Sequence, residues 1–256
     1  MIKFEHVTKS LGGKLILDDV SFEVPKGETF VVVGLSGAGK SVTLKHMIHL
    51  LVPDCGVVRI GDDVISQARG SELERMRSRF GVLFQGAALL QWLTVFESVA
   101  LPLPENTKRS DQEIEKTVLE KLKLLNMAES ADKYPSDLSG GMQKRVGLAR
   151  AIVMSPEIIL YDEPTSGLDP VTSRRIDGLI ENLRKELGIT SIVVTHDLHS
   201  ALAIGTRIMM IDGGKIVENA VPDEFIRSKN ETVKHFLESQ YITRRGAWEK
   251  GMENHA

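Results

Sequence analysis

Gly34-Leu35-Ser36-Gly37-Ala38-Gly39-Lys40-Ser41 carries the spacing G-x-x-x-x-G-K-[ST] of a phosphate-binding turn. Glycines let consecutive backbone N–H groups turn inward around an anion, where a Cβ would obstruct them. Before the turn, Thr29-Phe-Val-Val-Val33 is apolar and β-branched, the pattern of a buried strand. After it, Leu44, Met47, Ile48 and Leu51 recur at the spacing of one helix face. A loop between strand and helix sets an anion at the helix N-terminus, where the partial charge is positive. The spacing therefore predicts that Gly34 to Val42 bind nucleotide phosphates, with Lys40 reaching the β- and γ-phosphates and the Ser41 hydroxyl ligating Mg²⁺.

Composition narrows the class. A chain of 256 residues with 42% apolar side chains can bury one substantial core, with room for a subdomain. A net charge of −3 offers no electrostatic footprint for nucleic acid, so no nucleic-acid partner is expected. The lone Cys55 excludes an intramolecular disulfide and suits a reducing compartment. No apolar stretch approaches the roughly 20 residues that span a bilayer. Met1-Ile-Lys-Phe-Glu5 shows no secretion-signal pattern. The expectation is a chain soluble by itself that reaches a membrane through a partner.

Outward from the loop, short β-rich segments (Ile2–Val7, Leu15–Val24, Val57–Ile60) flank it. A compositionally different stretch follows, over about residues 86–150. There Ser110-x-x-Glu113 forms a capping box ahead of Ile114, Val118, Leu122 and Leu125 at helical spacing. Strand–helix alternation then resumes, favouring a mainly parallel sheet covered by helices. Arg207–Ile211, Asp212-Gly-Gly214 and Lys215–Glu218 read as a hairpin. From about residue 229 the chain is polar.

Several strand ends carry chemistry. Ile158-Ile-Leu-Tyr161 delivers Asp162 and Glu163 to a strand's carboxyl edge, where ligands bind in open α/β sheets. Asp162 suits an Mg²⁺ anchor, and Glu163 a general base for the attacking water. Ile192-Val-Val-Thr195 ends in His196, placed to hydrogen-bond a γ-phosphate. Gln85 follows Phe80-Gly-Val-Leu-Phe84; its amide oxygen can bind Mg²⁺ or the water and release it without burying a charge. Ser139-Gly140-Gly141 opens a helix bearing Met142, Val146, Ala149 and Val153, with Pro156 as its stop. Read alone, Ser-Gly-Gly is a helix-starting turn; beside a phosphate cradle it is a second anion site. One cradle and one lid per chain predict a head-to-tail homodimer in which each lid covers the partner's γ-phosphate. Asp169, in Ser166-Gly-Leu-Asp169-Pro170, could cross that interface.

Taken together, these motifs resemble the nucleotide-binding subunit of an ABC transporter, over residues 1 to about 228. The resemblance implies a phosphate-loop cassette: a mainly parallel sheet core, an N-terminal antiparallel β subdomain and an inserted helical subdomain. It implies ATP hydrolysis with Mg²⁺, with catalytic roles for Glu163, His196, Gln85 and Lys40, and a membrane-embedded permease as partner. Three runs are similar to the Mla/Mce-type lipid-transport ATPases: Gly39-Lys-Ser-Val-Thr-Leu-Lys-His46, Phe84-Gln-Gly-Ala-Ala-Leu-Leu-Gln-Trp-Leu-Thr-Val-Phe-Glu97, and Ser139-Gly-Gly-Met-Gln-Lys-Arg-Val146. That branch implies phospholipid transport between bacterial membranes, a lipid-binding substrate protein, and a place at the cytoplasmic face of the inner membrane. An importer of another small substrate, such as an amino acid, is the competing expectation.

Some segments stay open. The family usually places an aromatic residue near position 11 to stack on adenine, where this chain has Leu11. Trp92, Leu93, Val95 and Phe96 either pack a helical subdomain or line a groove for a permease helix. The tail from 229 is either disordered or docks on a neighbouring protomer through Phe236, Leu237, Tyr241 and Trp248.

Overall fold

In the computed structural model, residues 1–240 and 242 are described. The smaller of two sheets is antiparallel, with strands in the order β2 (Lys14–Val24), β1 (Ile2–Leu11), β4 (Cys55–Ile60) and β5 (Asp63–Val64). The larger runs β10 (Lys215–Ala220), β9 (Arg207–Asp212), β3 (Thr29–Val33), β8 (Thr190–Val194), β7 (Ile158–Asp162) and β6 (Phe80–Leu83). From β9 to β6 every pairing is parallel, and β10 adds the antiparallel arm of the expected hairpin.

Burial on both faces explains the unbroken apolar runs of the central strands. On β3, Phe30 and Val32 enter a core shared with the antiparallel sheet; Val31 and Val33 enter a second core on the opposite face. Helix α1 (Lys40–Met47) adds Leu44 and Met47 to the first core, and α2 (Gly70–Arg77) adds Met76. The second core is covered by α3 (Val95–Ala100), α4 (Pro102–Asn106), α5 (Asp111–Leu124), α6 (Gly140–Ile152), α7 (Pro170–Leu187), α8 (Leu198–Ile204) and α9 (Pro222–Ile226).

Local signals explain several boundaries. Ser110 and Glu113 cap α5 reciprocally, and Thr94 with Glu97 forms a second capping box on α3 that the sequence reading passed over. Helix α1 is shorter than its periodicity suggests. His49 takes a left-handed φ of 54°, and the N–H groups of Leu50 and Leu51 bond back to Lys45 O, so Leu51 falls outside the helix. Leu11 sits at the tip of the β1–β2 hairpin, 38% exposed.

The segment after residue 228 is ordered as far as it is described. Glu231–Ser239 forms α10, capped by the Asn230 side chain. Phe236 and Leu237, anchors on a neighbour in one of the two open readings, are buried with Val233 in the chain's own second core. The apolar spacing i, i+3, i+4 within a polar stretch is what folds this helix down. Tyr241 and Trp248 lie outside the described residues. Truncating Phe236 to Ala should therefore lower stability by about 3 kcal/mol, read as a shifted urea midpoint at constant slope. A midpoint equal to that of the unaltered chain would show that α10 does not contribute to the core.

Candidate functional site

Because β3, β8, β7 and β6 are adjacent and parallel, the residues that follow them collect at one edge. A cleft of about 690 Å³ opens there, lined by the Gly34–Ser41 loop, Val42, Gln85, Asp162, Glu163 and His196. The loop hugs its surroundings. A Cβ on Gly34 would lie 2.2 Å from Ile211 O, and Gly39, at φ 109°, would push one to within 2.9 Å of Leu17. Only glycine satisfies both the approach and the backbone angle. Ala38 is buried beneath the turn, which Ala38 N closes onto Leu35 O at 3.2 Å.

Lys40 and Asp162 are substantially desolvated in the cleft. Lys40 Nζ donates to Gly34 O at 2.8 Å and to Leu35 O at 3.1 Å. Burial pushes its ammonium below the usual lysine range, while the charges of Glu163 and Asp162 pull the other way. Ser41 Oγ donates to Asp162 Oδ1 at 3.2 Å, and burial raises the Asp162 carboxyl against that hydrogen bond. Glu163 bends the chain at the end of β7 with a left-handed φ of 49°. Its N–H donates to Val194 O at 2.9 Å. Its Oε2 lies 2.9 Å from His196 Nδ1 and accepts from Thr195 Oγ1 at 3.3 Å. Gln85 Nε2 donates to Ser166 Oγ at 3.3 Å.

Other sequence-derived candidates lie elsewhere. Ser139 caps α6, accepting from Met142 N at 3.4 Å. Ser139 and Gly141 line a separate groove with Arg145 and Arg175, so Ser139, Gly140 and Gly141 are not brought into their own chain's cleft. Asp169 caps α7, its Oδ1 accepting from Val171 N and Thr172 N at 3.0 Å each. The hydrogen bonds from Thr172 hold its carboxyl below the usual range.

Three contributors were not read from the sequence. Lys144, on α6 and 5% exposed, donates to Gln85 O and, at 3.1 Å, to Glu163 O. A lysine near a helix N-terminus, against the helix dipole, is its one sequence signal. Ile16, rather than Leu11, lines the cleft. Gln240, just past α10, also lines it and reaches the backbone around His196.

Behind His196 lies a cluster of charge. Asp177 Oδ2 accepts from Arg174 Nη1 at 2.8 Å and Ser200 Oγ at 3.0 Å, while its Oδ1 is buried without a hydrogen bond. Burial pushes this carboxyl up to about 6 despite Arg174.

A glycine loop between strand and helix, with paired acids and a histidine at neighbouring strand ends, defines a phosphate-loop ATPase of the cassette type. The chain belongs to the ABC transporter family, whose model matches residues 17–166. It is 39% identical over 241 residues to the "Probable ribonucleotide transport ATP-binding protein mkl" of Mycobacterium leprae, covering 94% of this chain and 70% of that protein. It is 37% identical to the "Methionine import ATP-binding protein MetN 4" of Oceanobacillus iheyensis, over 94% and 71% of the two chains. Among solved structures, it is similar to a dimer of the ATP-binding cassette MJ0796 bound to ADP and Pi. The TM-score is 0.79 at 35% identity, over 87% of this chain and 99% of that one. It is also similar to cbiO1 of Clostridium perfringens, part of the transporter complex cbiONQ, with TM-score 0.82, 28% identity and coverage of 94% and 92%. The fold is thus that of an ABC cassette, and the chain is an ATP-hydrolysing enzyme.

The raised Asp177 carboxyl has a sign that can be measured. The folded state holds this proton more tightly than the unfolded chain does, so the group's contribution to stability falls as pH rises from about 4 to about 6, then levels off. Relative to Asp177→Asn, the protein should lose up to about 3 kcal/mol across that window, followed by urea unfolding at each pH. A flat difference curve would show that Asp177 titrates normally.

Proposed function

We propose that two copies of this chain pair head to tail, hydrolyse ATP at two shared sites, and drive a membrane permease that moves phospholipid between bacterial membranes. The observation carrying the dimer is the separation of the Ser139–Gly141 lid from its own cleft, which holds every other phosphate-facing residue. In a twofold pair each lid would close the partner's site, adding helix N-terminal N–H groups to the γ-phosphate. Asp169, at the start of α7, would lie at the same seam.

Mg²⁺ fits the donors present. Among the described residues no cluster of three His, Cys, Asp or Glu stands ready for a metal. An ion shared with phosphates needs only one or two protein ligands, and Ser41 and Asp162 supply hard oxygens 3.2 Å apart. Gln85 would add its amide oxygen. Bound there, Mg²⁺ would offset the charge of the phosphate oxygens.

This chain's residues then divide the work. The Gly34–Val42 backbone and Lys40 orient the phosphates in line with water. Glu163 Oε2 takes a proton from the water as its oxygen bonds the γ-phosphorus; the bond to the bridging oxygen breaks, leaving ADP and phosphate. His196 Nδ1 holds the Glu163 carboxylate. A neutral imidazole has one N–H, so it serves either Glu163 or the γ-phosphate, whereas the imidazolium serves both. Loss of the bridging phosphate would let the pair reopen.

No helix among the described residues is long and apolar enough to cross a membrane. A place at the cytoplasmic face of the inner membrane would therefore come through the permease. Trp92, 72% exposed, and the exposed Leu90 and Leu101, on the segment after Gln85, would offer that permease apolar contacts. Phospholipid as substrate, with a lipid-binding substrate protein, rests on the sequence runs at 39–46, 84–97 and 139–146. The methionine-import relative favours a second reading, an amino-acid importer.

Two outcomes follow. Glu163→Gln should lower turnover by at least about a hundredfold while the protein still binds ATP and stays paired, measured by phosphate release and light scattering. Turnover at the normal rate would remove Glu163 as the base. With the permease in vesicles, anionic phospholipid should raise ATP hydrolysis and methionine should not; the converse would favour the importer.

A further inference from the structure

We infer that Gln240 is a positioning residue for the Glu163–His196 couple, a tether from the C-terminal helix that sets the rate of hydrolysis without taking part in ATP binding. The inference rests on the proposed role of Glu163 as base.

His196 needs such support. Its side chain is 64% exposed, so packing does little to fix the ring, and hydrogen bonds to its short loop must orient it. Within the ATPase core, Thr195 N donates to Val32 O at 3.1 Å, and Asp197 N to Thr195 Oγ1 at 3.0 Å. Asp197 caps α8 through His199 N and Ser200 N. None of these bonds holds the His196 carbonyl. Gln240 does: its Nε2 donates to His196 O, while its Oε1 accepts from Leu198 N at 2.8 Å. A single amide therefore grips the backbone on both sides of Asp197.

The chemistry of the grip is specific. Leu198 N is a donor and must meet the amide oxygen; His196 O is an acceptor and must meet the NH₂ group. A glutamate there would keep the first bond and set oxygen against oxygen at the second. The grip is also anchored, because Val233, Phe236 and Leu237 bury α10 in the core and Gln240 N bonds Leu237 O at 3.2 Å. Helix α10 lies beyond the residues matched by the family model. Its end nevertheless lines the nucleotide cleft through Phe236, Ser239 and Gln240.

The test uses the full-length chain with ATP, comparing Gln240→Ala, Gln240→Glu and, as reference, Glu163→Gln. Misplacing a catalytic couple by a fraction of an ångström costs about tenfold to a hundredfold in rate. Both Gln240 variants should lose that much in kcat, with KM and the affinity for a fluorescent ATP analogue unchanged. Gln240→Glu should be at least as slow as Gln240→Ala, although it preserves shape and one hydrogen bond. Hydrogen exchange should quicken at the Leu198 amide in Gln240→Ala, whereas Gln240→Glu, which keeps that bond, should leave it protected. Normal kcat in either variant overturns the tether, as does a parallel loss of kcat, nucleotide affinity and unfolding midpoint, which marks a merely structural residue. If Glu163→Gln is inactive while the Gln240 variants turn over normally, the tether alone fails. If Glu163→Gln itself hydrolyses normally, the reading of the base fails with it.

Discussion

Three adjacent parallel strands buried on both faces, β3, β8 and β7, leave polar chemistry one place to happen, the edge where they stop. Along β3 and β8 every residue is buried, and β7 is buried up to Asp162. A charged side chain part-way along any of them would be stranded in one of two apolar cores. Strand register then levels the ends: Val32 pairs with Val194, Val194 with Asp162, and Leu83 with Tyr161. Gly34, His196, Glu163 and Gln85 each follow within two residues of a paired position. The meeting of these proposed catalytic residues is thus a consequence of sheet geometry, and four segments distant in sequence need no separate mechanism to meet.

The edge is stiffened by one helix. Besides Lys144, α6 presents Arg150, whose Nη1 and Nη2 donate to Ala88 O and Ala87 O at 2.7 Å each. Those two alanines have left-handed φ angles of 49° and 57°, an arrangement sparsely populated for residues with a Cβ. Gly147 lies between the two cations, and a Cβ there would come within 2.8 Å of Leu83. The helix that begins at Ser139 therefore carries the segment after Gln85 as a ligand of its own cations. In the proposed dimer, movement of the Ser139 end of this helix would be coupled to the Gln85 segment by hydrogen bonds to charged donors, the strong class.

This division also explains what could be read from sequence. Gly34 to Ser41 and the Asp162–Glu163 pair are local: glycine spacing and a strand's end fix their geometry. Capping at Ser110 is equally local. By contrast, Lys144 reaches a carbonyl 59 residues away, and Gln240 one 44 residues away, so neither role has a signature in its neighbourhood. The end of α1 at His49 was hidden for a different reason, since histidine in a left-handed turn takes a position that sequence patterns reserve for glycine or asparagine. In the last stretch, Val233, Phe236 and Leu237 already showed helical spacing, but the surrounding charge made the composition read as a tail.

The position of Glu163 draws these threads into one energetic argument. A non-glycine residue at φ 49° costs on the order of 1–3 kcal/mol and persists only when its surroundings over-determine it. Here β8 accepts its N–H, α6 holds its carbonyl through Lys144, and Thr195 and His196 hold its carboxylate. The His196 loop is in turn fixed by β3, by its own Asp197 cap and by Gln240. Removing one of these bonds leaves the others to keep the strained turn folded, so the fold survives a change that shifts the carboxylate by a fraction of an ångström. Catalytic rate is far more sensitive to such a shift than stability is. A cassette built this way can have its turnover set from a peripheral element such as α10 while its core and its phosphate loop stay as they are.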